Sequence, residues 1–418
     1  MTTSGPGVAM SEFMTRSDAP LEPIRGVAAF ESESPSAVAS RSGQLLGMSL
    51  FAFGDDQQAA DLQADAAELQ VPQVHRADPA LAEFADDAML EHLVHDLLAE
   101  HWPEFPGHLD LPESERLSGA AALWSAVDRS HDPRVLTALL ALSARSADDL
   151  EAVSGAAGLD RLAEGRLESA QVLLDRLADS PDAIAGAIAR VMLNRPSTAL
   201  EPPVGGGSAE SGGPSTVSVA VHGTWGMVGE DPWYRPGADL HTHIRREVSA
   251  NLYDDRGYYI WTGGFSQRDR DDGARDLSLW RELNGYAEFD EIYAHSHGGN
   301  VALSAAAGGE RIRMLVLMHT PALRRPDDEW ERIARNIRRV MVMRTRMDLV
   351  VLADGLRNGS RQRFDPQQLP HFELALHWAK GDGWFSHGLF VSEPKWQRYH
   401  IAELVESQRR IAEYGPPR

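Results

Sequence analysis

Ile292-Tyr293-Ala294-His295-Ser296-His297-Gly298-Gly299-Asn300-Val301-Ala302-Leu303 decides how this chain is read. A β-rich run, Glu291–Ala294, leads straight into a serine, and a helix of small residues follows at once, read over Asn300–Ala307. A serine in a tight strand-to-helix turn lifts its hydroxyl clear of the sheet. The turn needs small residues two before and two after it, here Ala294 and Gly298, which makes it the G-x-S-x-G pattern with Ala in the first place. The helix N-terminus also aims backbone N–H groups at any negative charge that develops there.

Working outward, apolar runs of strand length recur at Thr216–Val221, Gly257–Thr262, Arg313–Met318, Val340–Arg344 and Phe372–Trp378. Helical stretches at Asp276–Leu283 and Asp327–Arg338 lie between them. Strands alternating with helices, and nearly continuous in apolar content, predict a mainly parallel sheet covered on both faces over residues 216–418. Before it, Gly205–Ser215 holds five glycines, three serines and a proline, the make-up of a flexible linker, taken as 201–215.

Residues 76–200 read as a helical accessory domain. Leu90, Leu93, Val94, Leu97 and Leu98 keep the i, i+3, i+4 spacing of a buried helix face, and Val135, Leu136, Leu139 and Leu140 repeat it. Leu167, Val172, Leu173 and Leu177 follow it less regularly. Asp78-Pro79, Asp132-Pro133 and Ser180-Pro181 each set a capping side chain before a proline suited to a first helical turn. Residues 1–75, rich in Ser, Ala, Pro and acids and without a sustained period, read as a largely disordered acidic segment, with a short apolar element at Leu45–Phe53.

Composition narrows the function. With 418 residues, 43% hydrophobic and 24% charged, the chain is globular and long enough for two domains. It has no cysteine, which removes disulfides and Cys-based metal sites. Residues 1–200 carry 32 acidic and 13 basic side chains, a net of −19, and residues 201–418 carry 30 and 27, a net of −3, together the −22 of the whole chain. That charge repels phosphate backbones, so a nucleic-acid partner is not expected. No apolar run reaches the roughly 20 residues of a membrane span, and the first 30 residues lack a secretion-signal pattern, so a cytoplasmic location is expected.

The segments His222-Gly-Thr-Trp-Gly226, Trp261-Thr-Gly-Gly264 and Ala294-His-Ser-His-Gly-Gly-Asn300 together resemble the α/β-hydrolase superfamily, and within it lipase/esterase-type serine hydrolases. The resemblance covers about residues 216–405. It implies an α/β-hydrolase sheet, which would follow the all-α domain read above, with Ser296 as nucleophile. It implies an oxyanion donor from the loop after the first strand, carried over to the N–H of Thr224. The residue after the nucleophile, His297, donates the second. The superfamily order of serine, acid, histidine places the base late. Of His297, His319, His371, His377, His387 and His400, the one in the Gly-rich loop Gly381–Gly388, His387, fits best. Asp348, just past Val340–Arg344, is the candidate acid, with Asp354 its rival.

The expectation is a serine hydrolase cleaving a small-molecule or lipid ester without a cofactor. An inactive hydrolase-fold scaffold, or an amidase, thioesterase or acyltransferase with the same triad, are the alternatives. The helical half is a candidate surface for a protein partner. His241-Thr-His243 has metal-like spacing but lacks a supporting ligand pattern, so no metal is expected. Trp225, Met227, Trp233 and Tyr234 are candidates for an acyl pocket and equally for core.

Overall fold

Five aliphatic runs pair into one sheet: β1 (Thr216–Val221), β2 (Glu288–His295), β3 (Ile312–Met318), β4 (Ile337–Arg344) and β5 (Phe372–Ala375). Every pair is parallel, and the spatial order follows the chain order. The computed structural model describes residues 23–78, 81, 86–194, 216–224, 233–375 and 384–414.

The two-residue period of each strand splits its side chains between two cores. Val219, Ile292, Leu315 and Val340 face one way and pack on α10 (Gln267–Leu283), α11 (His297–Ala307) and α12 (Asp327–Asn336). Tyr293, Met314, Val316 and Met341 face the other way, onto α9 (Asp239–Glu247), α14 (Glu393–Arg398) and α15 (Ile401–Tyr414). The fold is therefore mixed α/β with helices on both faces of a parallel sheet, as the alternating runs predict. In register, Val221 lies beside Ala294 and His295 beside Met318, so β1, β2 and β3 end together at one carboxyl edge.

Two strand assignments change. Gly257–Thr262 is not a strand. Its aromatic side chains serve packing instead of pairing: Tyr259 Oη donates to Gly273 O at 2.7 Å and Trp261 Nε1 to His222 O at 2.8 Å, with both rings buried. A single parallel bridge, Ser218 to Leu252, stands near where that strand was expected. Strand β5 stops at Ala375, and residues 376–378 of the expected run lie outside the described residues.

The larger correction concerns residues 23–75; residues 1–22 of that segment lie outside the described residues. Beyond a 3₁₀ turn at Gly26–Glu31, α1 (Pro35–Phe53) and α2 (Asp56–Leu69) occupy the stretch read as disordered. Every residue of α1 from Ala37 to Ala52 is buried. Ser34 caps it, its Oγ accepting from Ala37 N, and Pro35 opens the first turn. The run PSAVASRSGQLLGMSLFAF gives no helical stripe because a helix enclosed on all sides has no polar face to alternate with. Glycine, serine and alanine let its neighbours approach closely instead. Its one charge, Arg41, is buried and donates to Glu151 at 2.7 Å; Arg116 reaches the same carboxylate at 2.7 Å.

Among the described residues the remaining α-helices of this half are α3 (Asp87–His101), α4 (Glu113–Ser130), α5 (Pro133–Ser143), α6 (Asp149–Leu162), α7 (Glu168–Leu177) and α8 (Ala183–Leu193). Of the two proline-marked helix starts that can be compared, the rule locates one; Pro79 of the third lies outside the described residues. Asp132 caps α5, whereas α8 is capped by Asp182 instead of Ser180, and α3 starts at Asp87 behind Asp86. Val172 is exposed; Ala170, Leu174 and Leu177 make the buried side of α7, and Leu167 is buried just before it.

Nor is the helical half separate from the sheet half. One hydrophobic core joins its helices to Met347, to Leu349, Val350, Leu352 and Leu356 of α13 (Leu349–Asn358), and to Trp384 and Phe385. Charge reinforces the junction. Asp61, Asp65 and Glu68 of α2 meet Arg361, Arg363, Arg344 and Arg346, and Gln58 donates to Gly355 O and Ser360 O at 2.8 and 2.9 Å. The acidic excess of residues 1–200 is thus partly met by arginines of the other half. The linker Gly205–Ser215 lies outside the described residues.

Candidate active site

Ser296 stands between β2 and α11 with φ 52° and ψ −134°, a conformation a non-glycine residue holds only when its surroundings impose it. Those surroundings are close. Its N–H donates to Met318 O at 2.8 Å. A Cβ on Gly223 would lie 2.6 Å from Ser296 Cβ, and one on Gly298 would lie 2.3 Å from His222 O. Gly298 of the small-residue pattern and Gly223 of the loop after β1 therefore both need hydrogen in place of a side chain.

Three elements converge on the serine. The loop before α14 brings His387, whose Nε2 lies 3.0 Å from Ser296 Oγ. The start of α13 brings Asp348, whose Oδ2 lies 2.8 Å from His387 Nδ1. Asp348 caps α13, its Oδ1 accepting from Val350 N and Val351 N at 3.1 and 3.2 Å. The sequence-predicted serine, base and acid are thus brought together in one hydrogen-bonded chain.

A fourth residue joins them that sequence reasoning set aside. His319, at φ 53° just past β3, places its Nδ1 3.0 Å from the same Asp348 Oδ2. Its Nε2 accepts from Phe390 N at 3.3 Å, which leaves the proton on Nδ1 for the carboxylate. Asp348 therefore takes four hydrogen bonds. Burial alone would raise its carboxyl, but the adjacent His387 and the bonds from both imidazoles outweigh that and hold it well below the usual carboxylate range. Burial lowers His319, with Asp348 pulling the other way, and His295 is pushed well down by burial and by its neighbours His387 and His319. Neutral His295 still serves as a brace, with Nε2 2.8 Å from His387 O. A histidine directly after a strand, in Leu317-Met-His-Thr-Pro321, was the available signal for His319.

The other candidates separate cleanly. His297 points its ring away, to Asp354 Oδ1 at 3.5 Å and Asn300 Nδ2 at 3.3 Å, so the rival acid serves a different imidazole. His371 bonds Leu369 O at 2.6 Å, and exposed His400 sits 3.1 Å from Glu403. His377 lies outside the described residues, as do Trp225 and Met227.

For charge stabilisation, His297 opens α11, where the first N–H groups have no partner within the helix. Gly223 brings the chain just before Thr224 against the serine. Behind this loop His222 is buried and pressed to about 4 by desolvation, against two backbone hydrogen bonds that raise it, so it stays neutral beside Tyr234 and Trp261. Tyr234 is buried with it, in the core role of the two weighed.

His319, Asp348 and His387 also place one ligand atom each within 4.8 Å of one another. Two donors on a tetrahedral zinc, each about 2.0–2.1 Å from it, stand about 3.3 Å apart. The 2.8 and 3.0 Å separations seen here suit a shared proton better than a shared ion. His241 and His243 turn to different partners, Tyr253 O at 3.0 Å and Glu393 at 3.6 Å. No described helix is long and apolar enough to cross a membrane. Searches of family models, of curated proteins and of solved structures find no match to this chain.

Proposed function

We propose that the chain is a serine hydrolase of the α/β-hydrolase type that cleaves carboxylic esters through an acyl-enzyme. The observation that carries the reading is the unbroken path from Ser296 Oγ through His387 to Asp348, at 3.0 and 2.8 Å, at the carboxyl edge of a parallel sheet. Ligand and catalytic sites of open α/β sheets gather at that edge.

Each residue has a defined task. Ser296 Oγ attacks the acyl carbon while His387 Nε2 takes its proton. Asp348 holds the imidazole with its proton on Nδ1 and stabilises the imidazolium. The N–H groups of His297 and Thr224 receive the oxyanion; loss of one such donor typically costs about 10²–10³ in rate. His387 returns the proton to the leaving alcohol. Water, deprotonated by the same nitrogen, then attacks the acyl carbon and frees the acid and Ser296.

The test is labelling by a fluorophosphonate, with wild type set against Ser296→Ala, followed by p-nitrophenyl esters of rising acyl length. Wild type should label and turn over, and Ser296→Ala should do neither while staying folded. A folded wild type that does not label would sink the proposal.

A further inference from the structure

The helical half touches the proposed active site at two points on one face of α1. A Cβ on Gly43 would lie 2.6 Å from Phe385 Cε1, and one on Gly47 would lie 3.3 Å from Met347 Cε. Both partners are buried. Phe385 precedes the base, His387, by two residues, and Met347 directly precedes the acid, Asp348. Gly43 and Gly47 are one helical turn apart, so a single stripe of α1 without side chains receives both loops.

The two loops are also stitched to each other. Met347 N donates to Trp384 O at 2.6 Å, Leu349 N to Phe385 O at 3.3 Å, and Thr345 Oγ1 to Ser386 O at 2.8 Å. Arg346 lies over the Trp384 ring at 4.6 Å and pairs with Glu68 of α2. Arg344 pairs with Asp65. The acid and base loops therefore form one unit, and α1 and α2 are the surface on which that unit rests.

We infer that the helical half is a built-in part of the active site, with Gly43 and Phe385 as positioning residues that set the reach of His387 to Ser296 and Asp348. The inference rests on the serine-hydrolase reading and assigns the helical half a role in it. A side chain at Gly43 pushes the Phe385 ring, and the push travels two residues to the imidazole. Misplacement of a catalytic group by about 1 Å can cost about 10²-fold in rate.

The experiment uses the full chain and p-nitrophenyl butyrate, with the folded fraction of each variant measured by circular dichroism. Gly43→Ala should lower kcat roughly 10- to 100-fold with KM changed less than about threefold, because geometry and not binding is disturbed. Phe385→Leu added to Gly43→Ala makes room for the new methyl and should recover at least about fivefold, the mark of coupled neighbours. Gly158→Ala is the control. Its Cβ would meet Ser49 Oγ at 2.6 Å and both Leu140 methyls at 2.8 Å, a tighter clash in the helical half that touches neither loop, and its folded molecules should keep wild-type kcat.

Wild-type kcat in folded Gly43→Ala, no recovery in the double variant, or an equal loss in Gly158→Ala would each overturn the inference. If Gly43→Ala does not fold, Phe385→Leu alone decides: a lower kcat in folded protein supports it, and an unchanged kcat overturns it. A wild type that fails to label removes the hydrolase reading, and this inference with it. A labelled, active wild type with an unaffected Gly43→Ala removes the inference alone.

Discussion

Two segments of this protein are buried to a similar degree and were unequally readable. The stretch from β2 through α11 declares itself because its constraints are local. Ser296 at φ 52° needs small residues at fixed distances along the same few positions, and Ala294 and Gly298 supply them. The stretch α1, buried from Ala37 to Ala52, has constraints that are nearly all remote. Its glycines are glycines because of Phe385 and Met347, and Arg41 is tolerable because of Glu151. Low apolar periodicity marks a disordered chain in one setting and a fully enclosed helix in another, and the partners decide between them.

Three measurements can break or sharpen that contrast. The largest effect belongs to the local site. Asp348→Asn should lower kcat by about 10⁴-fold, since an amide favours the wrong imidazole tautomer. The fold should persist, because the asparagine still caps α13. An active Asp348→Asn would mean that the base is oriented by something else, and His319 is the residue to test next. The second effect belongs to the remote segment. Glu151→Gln leaves Arg41 and Arg116 buried without their carboxylate and should cost about 3–5 kcal/mol in urea unfolding. An unfolding midpoint within error of wild type would show that the interior of the helical half is wetter than described.

The third effect is pH, and it should fall on the sheet half. His222, His295, His297 and His319, which all lie there, are lowered by burial. For His222 the folded value is about 4 against an ordinary 6.5, so as pH falls below 6.5 the unfolded chain takes up a proton before the folded one. Stability is therefore full above pH 6.5 and drains as pH drops toward 4. At pH 5 this residue alone should account for on the order of 2 kcal/mol. Carboxylates act lower: Glu373, brought to about 2 by His371 and Arg344 against the opposing pull of burial, loses its contribution only below its ordinary 4.5. Urea midpoints at pH 7 and pH 5 should differ less in His222→Gln than in wild type. Equal differences would show that other groups govern the acid limb.

The strands β1 to β4, the serine turn, and the placing of Asp348 past β4 and of His387 in a late loop were legible because each is marked by its own neighbours in sequence. Gly257–Thr262 was misread because Tyr259 and Trp261 look alike in a strand and in a packed loop; the difference is where their polar tips donate. His319 was passed over because chain order speaks against it as a base, yet its Nδ1 lies on the carboxylate of Asp348. One core lies on both sides of the boundary read at 201–215: a Gly/Ser-rich stretch marks a change in composition, and a core can still close across it.

That closure has a consequence for how the protein is made. Gln58 and the carbonyl of Ser360 that it binds are 302 positions apart, and Phe385 is later still. At about 5–20 residues per second, the first helices leave the ribosome tens of seconds before the surfaces that cover them are synthesised. During that interval α6 can already cover one side of α1, while the side that receives Met347 and Phe385 stays open. The Gly43–Gly47 side of α1 is therefore the part of that helix that waits longest for its partners during synthesis.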